Sequence, residues 1–259
     1  MSVLQNELLE ITPNELATLS VCLELPQPVG LGVRPLDDLS DEDRTLAIRS
    51  CLESLAQKGY VEALPGERFR VHDVAAQIVT VAARPSAVLR LLRSDGDQPT
   101  ALVFVYGVRD LAVVHEVCLD GSQRLMPKTL ADAVAEIADV LGGLPAEADP
   151  PHEAVVMTRA QLMPASQPTG ADADPRVETI RSDLARATES VRLDLAWLHG
   201  AATIAPYLTV FTSDAEPAWL LTGMGAEPDD VVTCHRAEVA HVRRALHSML
   251  VGSAFEGAE

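Results

Sequence analysis

The feature that most constrains this chain is a pattern that occurs twice. Residues 87–141 read as a β-rich meander followed at once by a short amphipathic helix, and residues 206–251 read the same way. In the first stretch, strands are expected at about 87–93, 100–106 and 110–118, separated by Asp95-Gly96-Asp97 and by Gly107-Val108-Arg109. Asp120-Gly121 then turns the chain toward a helix at 129–141, whose Leu130, Val134, Ile137 and Leu141 share one face. In the second stretch, strands are expected near 206–211, 217–223 and 230–236. A helix from about Glu238 follows, carrying Val239, Val242, Leu246 and Leu250. A helix precedes each meander. Helix, three strands, helix in both halves predicts an α+β fold with an internal pseudo-two-fold.

The first third supplies clear helix signals. Thr12 can cap a helix, Pro13 suits its first position, and Glu15 stands where a capping box wants a carboxylate. That helix should run through Leu16, Leu19 and Leu23 and stop before Pro26. Ser40 caps a second helix, with Asp41, Glu42 and Asp43 at the positive end of its dipole. Ile48, Cys51, Leu52 and Leu55 form its expected buried stripe, and Gly59 its stop. Tyr60-Val61 and Phe69–Val71 are expected as short strands, and a third helix from about Asp73 carries Val74, Ile78 and Val81.

Residues 142–151, rich in Gly and Pro, read as a linker between an N-terminal half (1–144) and a C-terminal half (145–259) of one compact domain. Residues 164–175 read as a second weakly structured stretch. The longest helix is expected at about 176–198, with Val177, Ile180, Leu184, Val191, Leu195 and Leu198 as its stripe and Gly200 as its end.

Charge narrows the function. The net charge is −18, and Lys58 and Lys128 are the only lysines. Nucleic-acid binding draws much of its affinity from neutralising phosphates, so an acidic chain with no basic block suits it poorly. Residues Met1–Glu7 carry no basic leader, and no run of 18 apolar residues occurs, so neither secretion nor membrane insertion is expected. Cys22, Cys51, Cys118 and Cys234 are widely spaced and are expected as buried free thiols in a reducing cytoplasm.

Chemistry-bearing motifs are scarce. The chain has no nucleophile elbow, phosphate-binding loop, dinucleotide fingerprint or zinc-binding His-Glu-x-x-His. His115-Glu116 and Cys234-His235 fall inside predicted strands, where neighbours point to opposite faces. Gly223-Met224-Gly225 reads as a turn. A binding protein without catalytic residues, metal or cofactor is therefore expected. Residues 41–71 imitate a winged helix, with Arg68 and Arg70 on the return strand, and keep a transcriptional regulator open as an alternative beside an adaptor of unknown partner. The aromatics Trp197, Tyr207, Phe211 and Trp219 cluster in the second half, where they are expected to pack helix against sheet or to stand at an interface.

The order of segments resembles a family, the EspG chaperones associated with type VII (ESX) secretion. The resemblance rests on Asn14–Leu19 followed by Leu25-Pro26, and on Leu46–Val61 with its Leu-Ala-Gln-Lys-Gly-Tyr-Val ending. It continues through Val74–Arg93, the Asp120-Gly121 meander, the helix ending Val140-Leu141-Gly142-Gly143-Leu144, and the closing helix from Glu238 to Val251. The resemblance implies two meander-plus-helix halves forming a central antiparallel sheet flanked by helical bundles. It also implies an actinobacterial, cytoplasmic chaperone that binds helical, PE–PPE-like secretion substrates and keeps them soluble for export. The contact surface expected on that basis lies near Trp197, Leu198 and Tyr207, and self-association into a homodimer stays open.

Overall fold

The computed structural model of the chain describes residues 7–31, 35–66, 68–96, 98–140, 153–162, 174–196, 206–212, 218–225, 227–238, 240, 242, 245 and 246. Proximity along the backbone divides the chain into two compact units: Met1–Val88 with Val103–Ala133, and Leu89–Leu102 with Val134–Glu259. In chain order the first elements are β1 (Leu9–Ile11), α1 (Pro13–Cys22), a 3-10 turn at Val29–Leu31, α2 (Asp41–Gln57), β2 (Val61–Leu64), β3 (Arg68–Val71) and α3 (Asp73–Ala83). A meander of β4 (Ala87–Asp95), β5 (Gln98–Val108), β6 (Leu111–Val117) and β7 (Gln123–Thr129) follows, then α4 (Leu130–Val140). The rest comprises β8 (Val155–Thr158), α5 (Arg159–Leu162), α6 (Pro175–Ala185), β9 (Glu189–Ala196), β10 (Pro206–Thr212), β11 (Trp219–Met224) and β12 (Val231–Arg236).

Ten strands form one sheet in the order β1-β7-β6-β5-β4-β9-β10-β11-β12-β8, and β2 pairs with β3 alone. Each strand pair whose register is defined runs antiparallel. The order has the same logic from either end. A helix leads into a four-strand meander twice, as α3 into β4–β7 and as α6 into β9–β12. The last strand of each meander then pairs with a short upstream strand, β7 with β1 and β12 with β8. The duplicated α+β plan is present, with four strands in each meander where three were expected. After β12, residues 240, 242, 245 and 246 are helical, and the Val242 N–H donates to the Glu238 carbonyl at 3.0 Å. The remainder of the expected closing helix lies outside the described residues, as do all of the 142–151 linker and most of the 164–175 stretch.

Two departures have simple causes. Residues 123–129 are a strand, although Pro127 argues against one. Among the described residues β1 covers only Gln123–Leu125, so β7 is an edge strand at Pro127, where a missing N–H is tolerated. The expected helix at 176–198 ends at Ala185, and Glu189–Ala196 is a strand. Val191, Leu193 and Leu195 are buried while Arg192 and Asp194 are not, which is the period of two and not of 3.6. Positions 191, 195 and 198 satisfied a helical stripe only because Leu193 was left out of it.

The helix starts agree with their signals. The Glu15 N–H donates to Thr12 Oγ1 (3.2 Å), and the Thr12 N–H donates to Glu15 Oε2 (2.6 Å), a complete capping box. Ser40 caps α2 in the same manner through the Asp43 N–H. The α2 stripe is shorter than expected, with Leu52 and Leu55 buried and Ile48 and Cys51 only partly so. On α3 the buried positions are Ala75, Ile78, Val79 and Ala82, with Val74 and Val81 beside them. Of the four thiols, Cys234 alone is fully buried, and burial pushes it up to about 12; Cys22 is exposed.

One polar node ties the first helices together. Glu15, 2% exposed, closes its capping box and also accepts from Lys58 Nζ (2.7 Å) and Ser54 Oγ (2.7 Å) on and just past α2. Burial alone would raise its pKa, but bonds from Lys58, Ser54 and Thr12 outweigh it and hold the carboxyl below its usual range. Lys58→Met removes the charge that makes this burial tolerable and is expected to cost about 2 kcal/mol in urea unfolding. Arg70→Met, which breaks an exposed pair with Glu62 on the β2–β3 hairpin, should change stability by about 0.5 kcal/mol or less.

Candidate functional site

In the second unit, register decides what each sheet face carries. Tyr207 stands opposite Asp194 and Gly223, Thr209 opposite Arg192 and Leu221, and Phe211 opposite Ser190 and Trp219. Leu221 then meets Cys234, and Val232 meets Met157. Because side chains alternate, all of these share one face. The other face carries Leu193, Leu208, Val210 and Leu220, all buried, with Met224, Val231 and Val156 toward the β8 edge.

The first face is covered by α6, whose Val177 and Ile180 pack with Val155, Met157, Tyr207, Trp219, Leu221, Val232 and Cys234. A buried carboxylate anchors it. Asp183 accepts from Trp219 Nε1–H (2.9 Å) and from Arg186 (2.8 Å), and the Arg236 guanidinium lies 3.7 Å from it and 4.1 Å over the Trp219 ring. This one side chain links α6 to β11 and β12.

Beside that core lies a cavity of about 610 Å³ between α5, α6 and the strands β4, β9, β10 and β11. Its apolar lining comes from Leu92, Leu162, Leu184, Phe211 and Leu221, and its polar lining includes Arg159, Arg181, Arg192 and Glu178. Tyr207 forms part of the wall and is 7% exposed. Two guanidinium carbons face its ring, Arg192 at 5.2 Å and Arg159 at 5.4 Å from the centroid. The ring lies against β11, where a Cβ on Gly223 would come within 2.7 Å of the Tyr207 hydroxyl. Gly223 and Met224 therefore belong to the strand, and the turn expected there begins at Gly225. Burial raises the Tyr207 phenol above its ordinary value despite both arginines, so it stays neutral.

Of the residues singled out from sequence, Tyr207 is in this wall, and Trp197 and Leu198 lie outside the described residues. Sequence reading missed Arg159 and Arg192. Arg192 was assigned to a helix, and Arg159 opens a four-residue helix that carries no periodic signal.

A second feature is an apolar strip on the opposite face. Met224, Val231 and Val156 are each more than half exposed. Register places Met224 level with Pro206 and one step past the Gly223–Val232 pair, so that Val231 adjoins it, while Val156 stands on the edge strand β8. β9 ends at Ala196 at this same end of the sheet, directly before Trp197 and Leu198.

The first unit holds a buried polar relay. The Gly30 N–H donates to Tyr106 Oη (3.0 Å), Tyr106 Oη–H donates to His115 Nδ1 (3.0 Å), and His115 Nε2–H donates to Gln123 Oε1 (2.5 Å). That assignment gives every atom one compatible role. Gly30 is obligatory, since a Cβ there would lie 2.5 Å from Phe104 and from the Tyr106 hydroxyl. Nothing exposed reaches His115, which is fully buried. Burial depresses its pKa from the ordinary 6.5 to about 4, only partly offset by Gln123. The unfolded chain takes up this proton near pH 6.5 and the folded chain only near 4. Stability from this source is thus complete above 6.5 and is lost as pH falls toward 4, by about 3 kcal/mol in all. Urea midpoints across that window should fall more steeply for the parent protein than for His115→Gln; parallel slopes would contradict the assignment.

Elsewhere the site chemistry is sparse. Among the described residues no three His, Cys, Asp or Glu side chains gather at metal-binding distance, and no helix is long and apolar enough to cross a membrane. The α2–β2–β3 segment does form a helix and hairpin, but its helix opens with exposed Asp41, Glu42 and Asp43, and Arg70 is paired with Glu62. That electrostatic pattern does not suit phosphate.

No protein-family model matches the chain, and no curated protein matches it. Among solved structures it is similar to the Mycobacterium tuberculosis type VII secretion system chaperone EspG5, determined in complex with a PE25-PPE41 dimer. The match covers 95% of this chain and 96% of that one, with a TM-score of 0.62 and 13% sequence identity. The fold is EspG-like. At such identity the likeness lies in the order and pairing of elements along nearly the whole of both chains, and not in shared side chains.

Proposed function

We propose that this protein is a cytosolic chaperone of type VII secretion that binds a helical, PE–PPE-like substrate and holds its apolar end in solution until export. The observation that carries the reading is the end-to-end fold likeness to a chaperone whose solved complex contains a PE–PPE dimer. Physical support comes from the second unit. A substrate helix with an exposed apolar end needs a surface that is apolar at the contact and well solvated around it. The strip of Met224, Val231 and Val156 has the first property, and a net charge of −18 supplies the second. Trp197 and Leu198, next in sequence after β9, complete the proposed contact region, whereas Tyr207, expected there from sequence, is buried on the opposite sheet face and is left out of it.

No cofactor or metal enters this function, and no covalent chemistry is required. Affinity would come from apolar burial with a few large anchors, Trp197 foremost.

Co-expression with helical-hairpin proteins encoded beside this one, followed by size exclusion with light scattering, tests the proposal. A 1:1:1 complex with a substrate pair, or 1:1 with a single substrate, is the expected result. Met224→Asp with Val231→Asp should weaken that complex by about tenfold or more, and Trp197→Ala by about 2 kcal/mol, without changing the fold. Failure of every such candidate to form a complex would overturn the assignment. A complex that survives the strip variants unchanged would move the contact elsewhere.

A further inference from the structure

We infer that the cavity beneath α5 and α6 is a binding site for a small amphipathic carboxylate, with Tyr207 as its aromatic wall and Arg159 and Arg192 as its anion-recognising groups. The inference does not rest on the proposed chaperone role. The cavity lies on the opposite sheet face from the apolar strip and involves no residue of it.

Three observations converge. The first is size and lining: about 610 Å³, with leucines and phenylalanine around a few polar groups, is the form of a small-molecule site. The second is charge. In a chain of net −18, one cavity draws three arginines and only one carboxylate, Glu178, into its lining. Glu178 faces Arg181 on the same helix at 3.4 Å. Arg192 donates to Asp194 (2.8 Å), but Asp194 is shared with Arg90 (2.6 Å), two cations on one anion. Arg159 reaches the neutral Gly225 carbonyl (3.3 Å), while the nearby Asp230 carboxylate accepts the Glu227 N–H (2.7 Å). The third is geometry. Both guanidiniums are held against the neutral Tyr207 ring, which orients them without discharging them, so their donor edges stay available to a carboxylate.

Three partly buried guanidiniums around one carboxylate give the cavity a positive potential that favours an anionic guest. The walls add a selectivity. A bare inorganic anion would leave the apolar lining wet, and a neutral hydrocarbon would make no use of the guanidinium donors beyond those bound to Asp194 and the Gly225 carbonyl. A flat or extended apolar body carrying one carboxylate satisfies both, and one of about 10 to 20 non-hydrogen atoms fits within the space.

Isothermal titration calorimetry with 2-naphthoate, dodecanoate and the neutral 2-naphthalenemethanol tests this on the full chain. At least one carboxylate should bind with a Kd under about 1 mM, and the neutral alcohol about tenfold more weakly than 2-naphthoate. Arg159→Met should weaken the carboxylates by about tenfold while leaving the alcohol unchanged, because only the charge is removed. Leu184→Trp, which intrudes on the apolar wall and keeps every arginine, should weaken binding of all three by about tenfold. Near-ultraviolet circular dichroism checks that both variants are folded. Three results each overturn the inference: no carboxylate bound at about 5 mM, equal affinity for 2-naphthoate and the alcohol, or carboxylate binding that survives both substitutions.

Discussion

The second unit depends on the register of β9, β10, β11 and β12. Pairing Tyr207 with Gly223 and Thr209 with Arg192 sends aromatic and cationic side chains to one face and Leu193, Leu208, Val210 and Leu220 to the other. A slip of one residue in any of these strands would exchange the two sets and bury arginines where leucines now lie. Register is held by steric fit as well as by hydrogen bonds. Only glycine at 223 lets the Tyr207 hydroxyl approach, and only one alignment sets Trp219 where it can reach Asp183.

Buried polar groups do comparable work across the chain. Glu15 joins α1 to α2, the Gly30–Tyr106–His115–Gln123 relay ties the 3-10 turn to the meander, and Asp183 fastens α6 to its strands. Each is satisfied by several donors or acceptors, so each fixes geometry at small net cost, and each would be expensive if one partner were lost. His115, beside Glu116 in the sequence, is one of these fasteners, shut off from solvent.

Both readings of this protein rest on surfaces of its second unit. The same sheet offers an exposed apolar strip on one face and an arginine-lined cavity on the other, and we propose different ligands for the two, a helix end and a small acid. Likeness of fold to a secretion chaperone guides the first reading, while the second follows from the charge and shape of this chain's own side chains.

Much of the plan was readable in the residues. Thr12-Pro13-Asn14-Glu15 and Ser40-Asp41-Glu42-Asp43 start helices through purely local hydrogen bonds, and Asp95-Gly96, Asp120-Gly121 and Gly225 turn the chain by local backbone preference, so these signals survive in one dimension. What failed was whatever depended on a partner strand. Pro127 is admissible only because β1 stops short of it, and the stretch 189–196 is a strand because β4 and β10 lie on either side. The short strands β1 and β8 exist only through pairing with β7 and β12. The cavity is of the same kind. Arg159 and Arg192 are 33 positions apart in the sequence, and tertiary packing alone brings them to one tyrosine ring. The sequence by itself determined where helices begin, where the chain turns and that the plan is duplicated. Tertiary structure alone decided the register, because hydrogen bonds between strands and the fit of one side chain against another belong to pairs of residues and not to either of them.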